Sequence, residues 1–222
     1  MNAVKDQIVK YINNEDKENA VKYILENLTK GNIDIVSLYE DILAPTLNDI
    51  AHYKKAQNIH IWQEHIRTSI VRTVIECCYP HVIKERDEKY KLHHGKKVLV
   101  MCPQEEYHEI GPRMVTDFFN LCGYQATFVG GNTPKEEILK IALAYEPDYI
   151  AISVSNYFHL VAAERAIKNL RSTYKKSIKI IVGGYAFNRN PQAYKDIGAD
   201  LLLQDFDSIR QLEGSTLNET GI

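Results

Sequence analysis

The sequence predicts two fold classes in one chain: a small all-helical bundle, then an open parallel sheet with helices on both faces. Three observations carry this. Apolar residues recur every three or four positions through the first 84 residues, the rhythm of amphipathic helices. A charged segment without large apolar clusters follows. After residue 97 the rhythm changes to short β-rich runs that alternate with helical patterns, which is the signature of strand–helix–strand units and a parallel sheet.

The helical stripes come in order. Val4, Ile8, Tyr11 and Ile12 make the first, and Val21, Ile24, Leu25 and Leu28 the second, with Gly31 as its stop. Val36, Tyr39, Leu43, Leu47 and Ile50 make the third, with a kink expected at Pro45. The fourth runs through Ile61, Ile66, Ile70, Val74 and Cys77, and Pro80 is expected to end it. Four such helices with short connections predict a four-helix bundle over residues 1–84. The charged stretch reads as a linker over 85–96; its adjacent His93 and His94 are taken as solvated rather than as metal ligands. Residues 97–213 form the second domain, and 214–222 a flexible tail.

The strands of that second domain read as "KVLVM", "YQATFV", "DYIAISV", "IKIIV" and "DLLL", separated by helical patterns such as "PKEEILKIALAY" and "FHLVAAERAIKNLRSTY". Five strand–helix units predict a flavodoxin-like, Rossmann-like five-stranded parallel sheet. Sheets of this class bind ligands beyond the carboxyl ends of the strands, where the strand order reverses, here between the first and third strands.

Composition excludes several functions. The formal charge of -2 and the lack of a recognition motif argue against direct nucleic-acid binding. The polar first 30 residues are no signal peptide, and no apolar run reaches the roughly 20 residues of a bilayer span. Cys77, Cys78, Cys102 and Cys122 form no CxxC pair and no disulfide pattern; they read as reduced, in a cytoplasmic protein.

Three polar or glycine-rich signals fall at the expected binding edge. The loop after the first strand, "EEYHEIG", carries Glu106, His108, Glu109 and Gly111; the third strand ends in "SVSN", with Ser153 and Ser155; the fourth ends in "VGGY", with Gly183 and Gly184. None is a glycine- and hydroxyl-rich phosphate loop. The serine end of the third strand argues against a response-regulator receiver. Glu109 reads as a first-turn helix acid, and "GGNTP", 130–134, as a loop and helix start. Neutral imidazole is a good ligand for late first-row transition metals, and a carboxylate two residues away can fix its tautomer.

Taken together, Glu106, His108 and Gly111 read as E-x-H-x-x-G. Between Gly111 and Ser153 lie 41 residues, and between Ser155 and Gly183 lie 27. This resembles the cobalamin-binding signature of D-x-H-x-x-G, S-x-L and G-G in order, over most of residues 97–213. The resemblance implies bound cobalamin, as adenosylcobalamin or methylcobalamin, with His108 as lower axial ligand of cobalt in place of the cofactor's own base. It further implies a slot for that base beside Ser153 and Ser155, and glycines 183 and 184 where the nucleotide tail passes the backbone. Glu106 replaces the usual aspartate, as in CarH-type light-sensing cobalamin proteins, and Ser155 replaces the usual leucine.

The helical half resembles the cap of that same group, in which a tryptophan, nine residues and a Glu-His pair line the upper face of the cofactor. Glu64 and His65 match the pair, with His65 as an upper axial ligand and partly buried beside Ile61 and Thr68. Lys54 stands at the tryptophan position, and the single tryptophan, Trp62, reads as core or interface. The DNA-binding domain of those regulators is not seen ahead of the first helix. The resemblance implies a cobalamin-binding sensor, photoreceptor-like and without catalysis of its own, signalling by cap rearrangement through a protein partner and able to form a homo-oligomer. The alternative is a corrinoid carrier delivering a methyl group to a methyltransferase partner.

Overall fold

A computed structural model describes residues 2–56 and 60–213, the side chains of residues 2 and 51–56 excepted. The chain divides into two compact units, residues 1–91 and 92–222.

The first unit is helical: α1 (Asn2–Asn13), α2 (Lys17–Thr29), a short α3 (Ile35–Ser37), a π-helical stretch Leu38–Leu43 that leads into α4 (Ala44–Ala56), and α5 (Ile61–Glu85). Polar side chains start two of these helices. Asp16 accepts from the Asn19 amide ahead of α2, and Asp34 from the Ser37 amide ahead of α3. Gly31, just past α2, takes a φ of +71°, a region open to glycine at no steric cost. Ile8, Ile12, Ile24, Leu28, Tyr39, Leu43 and Ile50 are buried, so the first three apolar stripes face the core at these positions.

The fourth helix departs from expectation. Its core face is Ile70, Val71, Val74, Ile75, Cys78 and Val82. Ile61 and Ile66, read as core, are exposed. Pro80, read as the stop, lies inside α5 on its exposed side. There the backbone hydrogen bond that proline forgoes faces water, while Cys78 and Val82 keep the opposite face anchored. The expected linker is shorter too: helix continues to Glu85 and as a π-helix through Arg86–Tyr90. Tertiary partners hold these charged residues, since the Glu85 carboxylate accepts from the Ile35 amide at 3.0 Å and Lys89 Nζ meets Asp34 at 2.5 Å.

The second unit alternates β1 (Lys97–Pro103), α6 (Ile110–Leu121), β2 (Gln125–Thr133), α7 (Lys135–Tyr145), β3 (Tyr149–Ser153), α8 (Leu160–Thr173), β4 (Lys179–Gly183), α9 (Ala193–Asp196), β5 (Leu201–Leu202) and α10 (Phe206–Arg210). The strands pair in parallel in the order β2-β1-β3-β4-β5, the flavodoxin-like order expected. β1 lies inside the sheet, between β2 and β3, and is buried after its first residue, as an apolar strand covered on both faces must be. On one face Leu99, Met101, Ile150, Ile152, Ile180 and Val182 pack with Ile138 and Ala142 of α7 and Ala163, Ile167 and Leu170 of α8. Gly130–Thr133, read as loop, instead extends β2, with register shifts against Met101–Pro103 of β1. None of the described helices is long and apolar enough to cross a membrane.

Because β2 and β3 lie on opposite sides of β1, the chain leaves β1 toward one side and returns to the other. The loops after β1 and β3 therefore bound the crevice at the carboxyl edge.

Candidate functional site

The site is built around a buried carboxylate. The loop between β1 and α6 is folded back on the end of β2. Glu105 adopts a φ of +69°, and its amide donates to Asn132 Oδ1 at 2.8 Å. The Asn132 amide returns a bond to the Glu106 carbonyl at 2.7 Å, and the Glu106 amide donates to the Pro103 carbonyl at 3.1 Å. At Gly131 a Cβ would stand 3.3 Å from the same Glu106 carbonyl, so a side chain there would push the loop. The strand end read as a loop and helix start thus sets the path of the site loop.

These contacts drive the Glu106 side chain inward, to 0% exposure. Oε1 accepts from the His108 amide at 3.1 Å and lies 2.5 Å from His108 Nδ1. Oε2 accepts from the amides of Ser155 and Asn156, at 2.8 and 3.1 Å, and lies 3.1 Å from His159 Nδ1. Burial by itself pushes a carboxyl pKa up. Here the bonds from His108, His159 and the backbone amides outweigh it and hold Glu106 far below the usual carboxylate range. An ionised carboxylate only accepts, so both imidazoles present Nδ1–H to it.

His108 is thereby oriented. Its ring is 68% exposed while its partner is wholly buried. With Nδ1 committed to Glu106, Nε2 is the nitrogen through which His108 can ligate a metal. Cys102, whose thiol burial pushes up to about 12, donates from Sγ toward the His108 carbonyl at 3.7 Å. Glu109 precedes α6 and lies 3.8 Å from Arg113 Nη2, a structural pairing.

Gly111 lies one residue into α6, where an added Cβ would meet nothing within 4 Å. The fold does not require glycine there, so the space beside it is open to a ligand. Gly183 and Gly184 differ. A Cβ on Gly183 would stand 2.5 Å from the Leu203 carbonyl oxygen, and one on Gly184, at φ +102°, 2.5 Å from that of Val154. The strand ends themselves demand both glycines. Ser153 closes β3 opposite Gly183 and is half-buried. Ser155 enters the site through its backbone amide.

The sequence reading brought Glu106, His108, Gly111, Ser153, Ser155, Gly183 and Gly184 to one edge, and the loops and strand ends carrying them lie there. It missed His159. The only sign was a histidine at the head of the α8 pattern, six residues past Ser153, in a stretch read simply as helix.

Glu64 and His65 lie in the first unit, near the start of α5. His65 is exposed rather than partly buried, because the core face of α5 begins only at Ile70. Trp62 is 56% exposed and stacks on His60 at 6.1 Å, so it is not a core residue. The Lys54 side chain lies outside the described residues.

The family model described as B12 binding domain matches residues 96–209. This chain belongs to the B12-binding family. It binds cobalamin or a related corrinoid. Among curated proteins it is similar to the HTH-type transcriptional repressor CarH of Myxococcus xanthus, with 25% identity over 148 residues. That match covers 67% of this chain and 47% of CarH, so the chain spans about half of that relative. Among solved structures it resembles the Methanosarcina barkeri monomethylamine corrinoid protein, with TM-score 0.81, 16% identity, and 97% and 99% of the two chains covered. It also resembles the methanol:cobalamin methyltransferase complex MtaBC of the same organism, with TM-score 0.51, 16% identity, and 98% of this chain and 81% of that one covered. These identities speak for the shared fold of helical region and Rossmann-like sheet.

The residues of the site fit a corrinoid. Among the described residues no group of three His, Cys, Asp or Glu side chains is placed to hold a bare metal ion. A corrin ring would bring its own ring nitrogens, so a single protein donor such as the carboxylate-backed His108 imidazole would suffice to hold its metal from the protein side. Tyr107, Tyr157 and Phe158, exposed on the two loops around the site, offer apolar surface beside it.

Proposed function

We propose that this chain is a cobalamin-binding sensor or regulatory protein that holds its cofactor base-off with His108 as the lower axial ligand. The single observation that carries the ligand assignment is the 2.5 Å contact from buried Glu106 to the exposed His108 ring, which aims one imidazole nitrogen outward. Ser153 and Ser155 border the slot for the displaced base, and Gly111 leaves room for the macrocycle. By resemblance, Glu64 and His65 serve the upper face of the cofactor, with His65 as its upper ligand in one state. Bound cobalamin supplies a cobalt whose upper ligand can be exchanged. The protein's part is to orient the lower ligand and to turn a change above cobalt into a change seen by a partner.

The CarH match supports the sensor reading. Its 148 residues exceed the length of 96–222, so the likeness reaches beyond the sheet domain into the helical unit. A second reading, a corrinoid carrier serving a methyltransferase, draws on the near-complete coverage of both chains in the match to the monomethylamine corrinoid protein. The purified chain, mixed with adenosylcobalamin and with methylcobalamin, separates the two. A sensor changes its ligation of cobalt when the upper ligand is lost to light and transfers no methyl group. A carrier transfers the methyl group to an acceptor when given its methyltransferase. Failure to take up any corrinoid overturns both readings.

A further inference from the structure

A small cleft lies on the α7 and α8 side of the sheet. In β3, Ile150 and Ile152 face those two helices, so Ser153, next along the strand, faces the other way. The cleft is therefore apart from the slot proposed for the cofactor's base. Two cations line it from the helices: Lys135, the first residue of α7, and Arg165 of α8. A carboxamide and a carboxylate line it from the loop after β1, on Gln104 and Glu105, and buried Thr133 and Ala166 complete it.

Both sides are held in place. Ile138 and Ala142 of α7 pack with Ala163 and Ile167 of α8, and Asn169 Nδ2 donates to the Lys135 carbonyl at 3.2 Å. On the loop side the Glu105 amide is bonded to Asn132 Oδ1 at 2.8 Å, and Thr133 pairs with Pro103 across the strands. The cleft is thus formed before any ligand arrives.

Its opposite charges stand apart. Among the described residues Glu105 makes no ion pair with Lys135 or Arg165, Arg165 makes none, and Lys135 reaches only its neighbour Glu136, at 3.8 Å. The space is about 110 Å³. That is room for about seven to eleven waters, and so for a ligand of about as many non-hydrogen atoms. A single ion would leave most of it empty, and a corrin would not enter. Ammonium and guanidinium groups donate to oxyanions, whereas a carboxylate and a carboxamide oxygen accept from an ammonium. Two cations against one carboxylate leave the lining positive. Its complement is a small molecule with an ammonium at one end, carboxylates at the other, and one net negative charge.

We propose that this cleft binds a small zwitterion of the acidic amino-acid class, its carboxylates toward Lys135 and Arg165 and its ammonium toward Glu105 and Gln104. The site stands independently of the corrinoid reading. Its loop wall runs on to His108 three residues later, so a ligand held here lies against the segment that presents that ring.

The test titrates the full, cofactor-free chain, labelled with nitrogen-15, with L-aspartate, with succinate and with inorganic phosphate at constant ionic strength. Succinate keeps the two carboxylates of aspartate and lacks its ammonium. Aspartate is expected to shift the amide resonances of Glu105, Thr133 and Lys135 saturably at millimolar concentration, and to bind several-fold tighter than succinate or phosphate. Arg165→Gln weakens aspartate and succinate alike, by about tenfold. Glu105→Gln removes the advantage of aspartate over succinate. No saturable shift with aspartate overturns the proposal. So does phosphate or succinate binding as tightly as aspartate, which would mark a plain anion site, and so does a preference for aspartate that Glu105→Gln leaves unmoved. The same spectra report whether each variant is folded, and should Arg165→Gln unfold, the aspartate and succinate titrations of Glu105→Gln still decide it.

Discussion

The carboxylate of Glu106 and the imidazole of His108 meet at 2.5 Å, the first wholly buried and the second mostly exposed. Two residues apart in the chain, they divide the work proposed for a metal ligand: one is an anchor inside the protein, the other an imidazole presented outside. The anchor is expensive to bury. It is kept ionised by donors from two loops, and those loops are thereby tied together.

His108→Ala is expected to retain the fold, because the ring is largely exposed, and to lose the absorption signature of base-off, histidine-ligated cobalamin. Circular dichroism checks the first point and the visible spectrum the second. An unchanged spectrum in the variant would mean that another group ligates cobalt.

Glu106→Gln keeps the shape and removes the charge. An amide cannot accept from all the donors that converge there, so amides of Ser155 or Asn156, or an imidazole, lose a partner. The loss is expected at about 1.5–3 kcal/mol, read from urea unfolding. The pH dependence follows from the direction of the Glu106 shift. Its folded pKa lies below the ordinary value of 4.5, so its contribution is complete above that pH and is lost as pH falls below it toward the folded value. Wild-type stability should therefore decline on acidification below about pH 4.5, and Glu106→Gln should flatten that acid limb. An equally steep acid limb in the variant would assign it to other carboxylates.

The glycines should separate fold from ligand. Gly184→Ala forces a Cβ against Val154 at positive φ and should destabilise the protein by about 1–3 kcal/mol. Gly111→Ala meets no atom of the protein and sits in a helix, where alanine is favoured over glycine by about 0.5–1 kcal/mol. It should leave melting unchanged or raise it, yet weaken corrinoid uptake in a spectral titration. Normal uptake by Gly111→Ala would show that no ligand approaches α6 there.

Light addresses the upper face. A lysine stem covers apolar adenosyl surface less well than an indole ring. Adenosylcobalamin is expected to bind more weakly when Lys54 is present than in a Lys54→Trp variant. If His65 can reach cobalt, illumination should yield a bis-histidine spectrum that His65→Ala abolishes, with little change in assembly by analytical ultracentrifugation. Clean light-driven dissociation of an oligomer in the wild type would show that Lys54 does not disable a switch.

Much of this was legible in the linear sequence because its signals are local. A carboxylate, a histidine and a glycine within six residues, "EYHEIG", need only one loop to become a site, and alternating strand and helix rhythms leave few ways to stack a parallel sheet. The sequence alone determined the sheet class and the placing of Glu106 and His108 together at the carboxyl edge of the sheet. Only the tertiary structure decided the rest, and each case is a contact between distant residues. His159 reaches Glu106 across 53 positions, and Asn132 reaches Glu105 across 27. Pro80 stays inside α5 because Cys78 and Val82 are buried on the opposite face, and the expected linker became helix because Glu85 and Lys89 found Ile35 and Asp34 about 50 positions away. Periodicity reports which face a helix can bury. What lies against that face, and which side chain arrives from another loop to share a buried charge, depends on packing that no short stretch encodes.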